Sequence, residues 1–247
     1  MASIFILLLV VPPATGVDFE DGTLLVPTFI LLMVTRGRCE SLIWTRSIEM
    51  IRNSELEEFI TKYFPDLQLK IPLYYNWGLG IRFELNTNTE FQADRQLLHQ
   101  IYSRAITIFE DCFISSNKIW FLVRREDDLK IRRRGPFFNK YLQSETLRQL
   151  NYIKINENHY YGVKCEYHNI RYKKLLQDLA NFEMGMKPAT NEECFFINID
   201  KKIIFNMYDD RGVDVISSSI QGIRELYLRH ETWILDYDRE KIDSMFK

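Results

Sequence analysis

The chain has 247 residues, a formal net charge of −2, and 46 % hydrophobic and 14 % aromatic residues. That length suits one large domain with a packed core, or one domain plus an extension. The near-neutral balance supplies no global attraction to nucleic acid or to an anionic membrane, so neither is expected as the main partner.

Residues 1–53 read differently from the rest. Ile4 to Val11 is an unbroken apolar run followed by Pro12, Pro13 and Gly16. This resembles the hydrophobic part and cleavage region of a signal peptide, although no Lys or Arg precedes it. A second stretch, Leu24 to Val34, is interrupted by Pro27. Neither run reaches the roughly 18 apolar residues of a membrane span. Three readings stay open. The segment is a non-native extension, with Met50 as the real start, or a weak export signal, or a pair of core elements.

From residue 54 the signals become regular. Ser54 and Glu57 form a capping box ahead of Leu56, Phe59, Ile60 and Tyr63 at helical spacing, with Pro65 as the stop. Ile81 to Leu85 alternates apolar and charged residues, which predicts a half-buried strand. Thr89 and Gln92 form a second box. It leads into the strongest amphipathic stripe of the chain, Leu97, Leu98, Ile101, Ala105, Ile108, Phe109 and Cys112. Ile119 to Val123 is the continuous apolar run of a strand buried on both faces.

Residues 124–136 are charged and end in Gly135-Pro136, which predicts a surface loop, with a helix around 138–150 after it. Tyr161, Val163, Cys165 and Tyr167 alternate as a strand. Asn169 then caps a helix carrying Tyr172, Leu175, Leu176, Leu179 and Phe182, ended by Gly185. Three strands follow at Cys194–Ile199, Ile203–Tyr208 and Val213–Ile216. Ser218 and Gln221 box a helix with Ile220, Ile223, Leu226 and Tyr227, and a short helix from about Asp238 to Phe246 closes the chain. Short turns between the late strands argue for an α+β fold. Its mostly antiparallel sheet has a C-terminal three-strand meander and is flanked by helices, as one domain over 54–247.

The four cysteines, Cys39, Cys112, Cys165 and Cys194, lack the spacing of zinc or redox motifs. They read as buried, inert thiols that suit a reducing compartment, with disulfides an option for an exported chain. The four histidines are scattered, and no motif calls for a metal or a cofactor. Trp77, Gly78 and Gly80 read as a turn entering a strand; the two glycines are also a weak phosphate-loop signal, without the following helix and Lys-Ser/Thr of such a loop. Arg124, Arg125, Lys130, Arg132, Arg133 and Arg134 make a basic patch. Glu126, Asp127 and Asp128 interrupt it, so a solvated loop competes with a phosphate grip.

The densest polar cluster is Asp209, Asp210, Arg211, Gly212 and Asp214. Asp and Gly at these positions suit a tight turn between two strands, with Arg211 bridging a neighbouring carboxylate. The sharper alternative is a cation or ligand site of Asp209, Asp210 and Asp214, although the run lacks the calcium-loop pattern. The acidic tail, Asp236, Asp238, Glu240 and Asp243, suits a helix start.

Several stretches carry a resemblance: Tyr74-Tyr75-Asn76-Trp77 before Gly80-Ile81-Arg82-Phe83-Glu84-Leu85, then Arg171-Tyr172-Lys173, Phe195-Phe196-Ile197-Asn198, Tyr208-Asp209-Asp210-Arg211-Gly212 with Asp214, and Trp233-Ile234-Leu235-Asp236-Tyr237. Over about 54–247 the chain resembles a bacterial family known as a domain of unknown function, with Tyr-Asp-Asp-Arg-Gly as the most specific part. The resemblance implies a bacterial, cytoplasmic protein and no mechanism.

Two functions fit. The first is a non-catalytic interaction module that binds another protein, as bacterial immunity proteins do on small α+β domains; that is fold-level analogy. The alternative is an enzyme or a nucleotide- or RNA-binding protein that uses Arg82, Arg211 and nearby carboxylates in a concave pocket. Under either, the residues singled out for a ligand or partner are Arg82, Glu84, Asp209, Asp210, Arg211 and Asp214.

Overall fold

The computed structural model describes residues 5–11, 28–35, 38–42, 54–87, 94–116, 118–125 and 135–247. The chain divides into two units, Met1–Met50 and Ile51–Lys247. In the first, β1 (Phe5–Val11), β2 (Thr28–Thr35) and β3 (Arg38–Leu42) pair antiparallel in that order. Both apolar runs of this segment therefore carry strands. Pro12 to Gly16, the cleavage-like stretch, lies outside the described residues.

The second unit starts with α1 (Ser54–Tyr63) and continues with β4 (Gly80–Glu84), α2 (Asp94–Phe113) and β5 (Ile119–Arg125). Next come α3 (Gly135–Tyr141), α4 (Ser144–Arg148), β6 (Asn151–Ile155), β7 (Asn158–Cys165) and α5 (Tyr172–Glu183). The chain ends with β8 (Cys194–Asn198), β9 (Ile203–Met207), β10 (Gly212–Ser217), α6 (Ile220–Arg229) and α7 (Arg239–Phe246). The seven strands form one antiparallel sheet in the order β4-β10-β9-β8-β5-β7-β6, an α+β fold.

Side chains alternate across the sheet, and both faces are buried. Phe121, Cys194, Phe196, Phe205, Val213, Ile81 and Phe83 face a large core shared with α2, α5, α6 and α7. Trp120, Leu122, Phe195, Ile197, Ile204 and Ile216 face a smaller one, covered by α1 and by Leu67, Leu69 and Leu73. Phe109 is central to the larger core. Its ring stacks on Tyr172 at 4.5 Å and meets Phe113, Phe196 and Phe205 at 4.6, 4.9 and 5.4 Å between centroids. Glu110, one residue on, ties α2 to α5 by accepting from Tyr172 Oη at 2.7 Å and pairing with Lys173 Nζ at 2.9 Å.

Several expectations shift. Strand β4 is buried rather than half-buried, because helices cover one face and an ion pair fills the other. Arg124 belongs to β5, not to a loop, and reaches the Glu193 carboxylate at 3.0 Å. Gly135-Pro136 opens a helix; the rest of the basic patch, 126–134, lies outside the described residues. The helix around 138–150 is two, because Leu142 leaves the helix to bridge Ile170. Asn169 caps nothing. It ends a short 3-10 turn, and Arg171 precedes α5, held by its amide on Tyr141 O at 2.7 Å. The cap of α6 is Ser219, not Ser218: its Oγ accepts from Gly222 N at 3.4 Å. The sequence reading missed β6, although Tyr152, Ile153 and Ile155 precede a tight turn where Asn156 takes φ 53°. The Thr89–Gln92 box lies outside the described residues.

The thiols of Cys112, Cys165 and Cys194 are free and buried, and burial pushes Cys165 up to about 12. The side chain of Cys39 lies outside the described residues. Among the described residues no helix is long and apolar enough to cross a membrane.

Phe109→Ala should cost about 3–5 kcal/mol, read as a lower urea midpoint at unchanged slope. The hydrogen bonds from Tyr172 and Lys173 hold Glu110 below the usual carboxylate range. Its contribution is therefore present above the unfolded pKa and lost as pH falls through the lower folded value. Glu110→Gln should lower stability at neutral pH and flatten the loss of stability below about pH 4, measured by denaturation at a series of pH values.

Candidate functional site

The same alternation that sends Ile81 and Phe83 into the helical core turns Arg82 and Glu84 to the opposite face. On the neighbouring strand Asp214 stands opposite Arg82 in register. Their side chains meet in a two-pronged pair, Nε to Oδ1 at 2.8 Å and Nη2 to Oδ2 at 3.2 Å, with Asp214 fully buried. Asp214 Oδ2 also accepts from Tyr74 N at 2.9 Å. Arg82 Nη1 lies 3.7 Å from Asp238, which in turn accepts from Tyr75 Oη at 3.2 Å. Three rings surround the guanidinium: Tyr75 at 4.5 Å, Tyr208 at 5.1 Å and Tyr74 at 5.5 Å.

Above this pair the thinner cover of the sheet leaves a cleft of about 720 Å³. It is lined by Ile71, Pro72, Tyr75, Arg82, Glu84, Asn86, Tyr208, Asp209, Arg211 and Leu235. One wall is the 3-10 turn Leu73–Asn76 and the residues before it. Another is the C-terminal stretch, where Ile234 bridges Phe83 and Leu235 N donates to Arg82 O at 2.9 Å. The third is the β9–β10 turn. There Asp209 Oδ1 accepts from Arg211 N at 2.8 Å, and Oδ2 accepts from Arg211 Nε at 2.8 Å.

The structure thus brings Arg82, Glu84, Asp209 and Arg211 into one cleft and sets Asp214 beneath it. Asp210 turns aside to accept from Asn86 Nδ2 at 2.9 Å. The three turn aspartates have separate partners. Among the described residues no group of three or more His, Cys, Asp or Glu is arranged to hold a metal ion. Gly80 is a packing glycine: a Cβ there would lie 2.9 Å from Ile216 Cγ2 and 3.0 Å from Val215 O. Trp77 anchors the same turn through Nε1 on Ser217 O at 2.7 Å.

The two arginine charges of the cleft are settled internally. Burial works to depress Arg82, but its hydrogen bonds to Asp214 and the carboxylate's charge more than offset that and hold it above its usual value. Burial raises Asp214 despite Arg82. Burial and the Asp238 charge push Tyr74 up to about 12, and burial likewise raises Tyr75 and Tyr208. The site residues the sequence reading did not single out are Tyr75, Tyr208, Asn86, Leu235 and Asp238. Tyr75 and Tyr208 stand in the resembling segments, Asp238 read as part of an acidic tail, and Asn86 carries no sequence signal.

A buried pair raised in this way is costly to break and inexpensive to replace as a unit. Asp214→Asn should lose about 3–5 kcal/mol by stranding Arg82. The double variant Arg82→Met with Asp214→Leu should recover most of that loss, as chemical denaturation of both proteins would show.

Residues 56–238 match the model of a family described as a domain of unknown function (DUF3885), in line with the resemblance carried by the Tyr-Asp-Asp-Arg-Gly segment. The chain is also similar to "Uncharacterized protein YnaE" of Bacillus subtilis (strain 168), with 26 % identity over 207 residues, 72 % of this chain and 96 % of the relative. No solved structure matches.

Proposed function

The chain belongs to the family described as a domain of unknown function (DUF3885), and within it we propose a non-catalytic recognition domain that binds a segment of another protein in the cleft over Arg82. The supporting observation is that the guanidiniums of Arg82 and Arg211 are already engaged by Asp214 and Asp209. Beyond those two engaged arginines the cleft offers a guest tyrosine faces, Ile71, Pro72, Leu235 and the Glu84 side chain. Such aromatic, arginine-rimmed hollows serve as anchor sites in protein interfaces.

Reaction chemistry would need a group poised to gain or lose a proton near neutrality, or an activated nucleophile. The tyrosines here are held further from ionisation than usual, and the thiols lie in the core. A phosphate-binding role would need free donors, and those of Arg82 point into Asp214. One observation keeps a small-molecule reading as runner-up: the cleft volume lies within the range of small-ligand pockets.

The test is photo-crosslinking of the full chain in Bacillus cells with the reactive residue at position 237, where Tyr237 is 86 % exposed beside the cleft wall. One protein should crosslink. Arg211→Ala should weaken its binding about tenfold or more, as loss of an interface arginine does. The melting temperature should change little, because Arg211 is exposed and its ion pair is worth about 0–1 kcal/mol. No crosslinked protein above the level of a probe at exposed Glu183 on α5 would refute the proposal.

A further inference from the structure

We infer that the group this cleft takes from its partner is a cation, the side chain of an arginine or lysine, held by Glu84 against the tyrosine walls. The inference rests on the binding reading above and gives the partner its chemistry.

The charged groups of the cleft differ in whether they have a counterpart. Arg82 gives Nε and Nη2 to Asp214 and lies near Asp238 with Nη1. Arg211 gives its backbone N, Nε and Nη2 to Asp209. Asp210 accepts from Asn86. Glu84 is different. It lines the cleft half-buried, and among the described residues its carboxylate closes no ion pair. Arg104 sits behind it and feels its charge, but donates through Nη1 to the Glu84 main-chain oxygen at 2.8 Å and not to the carboxylate. A half-buried carboxylate on which, among the described residues, no donor lands is the group a guest would complete.

The surroundings favour the same sign. The lining itself balances, Glu84 and Asp209 against Arg82 and Arg211, but Arg82 is already held by the buried carboxylates Asp214 and Asp238 and Arg211 by Asp209, which leaves the Glu84 carboxylate as the charge open to a guest. The tyrosines already show that they accept a guanidinium, because Arg82 lies 4.5 Å from the Tyr75 ring centre and 5.1 Å from that of Tyr208. Tyr75 remains 51 % exposed, so ring surface is left for a second cation. An anion would meet Glu84 directly and would find the donors of Arg82 committed. Arg211 Nη1 is what the rim would leave it.

The full chain is titrated by calorimetry at low salt with three capped tripeptides, Gly-Arg-Gly, Gly-citrulline-Gly and Gly-Glu-Gly. Citrulline keeps the shape of arginine without its charge. The arginine peptide should bind at least tenfold more tightly than the citrulline peptide and weaken as salt rises. Glu84→Gln should bring it to the citrulline level, whereas Glu225→Gln, on α6 away from the cleft, should leave it unchanged. Equal affinity for arginine and citrulline, preference for the glutamate peptide, absence of binding by all three, or an undiminished preference in Glu84→Gln would each overturn the inference. Crosslinking at position 237 separates the two claims: a captured partner with no charge preference overturns the cation and leaves the interaction domain standing.

Discussion

Burial of both faces of one antiparallel sheet is the constraint on which residues 54–247 depend. Strands β5, β8 and β9 carry large apolar side chains in both directions, so neither face can meet water. The chain covers them unequally. Helices α2, α5, α6 and α7 close one side, while α1 and a short irregular stretch close the other. Beyond that thinner cover, at the β4–β10 end, the sheet must present something other than apolar side chains. Arg82 and Asp214 are that something, a mutually neutralised pair that also lets the tyrosines pack.

The cleft is therefore a by-product of how the sheet is covered, and its chemistry follows from the pair beneath it. Asp214 neutralises Arg82, Asp209 neutralises Arg211, and Asp238 ties the floor to Tyr75. A surface organised in this way holds both of its guanidiniums neutralised in place. Glu84 departs from that pattern: it lines the cleft half-buried, and among the described residues its carboxylate closes no ion pair.

Much of this was legible in the sequence because it is local. The stripe from Leu97 to Cys112 lies on one face of α2, the Ile119–Val123 run marks a strand buried on both faces, and Asp209 with Arg211 closes its turn within two residues. The cleft was not legible, because its contacts join distant parts of the chain. Arg82 meets Asp214 across 132 positions, and Tyr75 meets Asp238 across 163. Periodicity cannot register pairings of that kind. The misplaced helix caps have a related cause: Ser218 and Asn169 are both good capping residues, but the ends of β10 and the Leu142–Ile170 bridge decide where the helices begin.

The strip that forms the cleft's C-terminal wall also closes an edge. Strand β4 is the last strand on its side of the sheet, and an edge strand with open amides and carbonyls is a template for pairing with other chains. Ile234 and Leu235 occupy that template at Phe83 and Arg82, and Arg104 takes the carbonyl of Glu84. This guard comes from the end of the chain, so during synthesis β4 emerges long before its cover does. An uncovered apolar edge strand carries an aggregation risk, and Arg82 and Glu84 place charges on this otherwise apolar one, the pattern of gatekeeper residues. The residues that line the finished cleft are thus the ones that break the apolar run of its edge strand with charge.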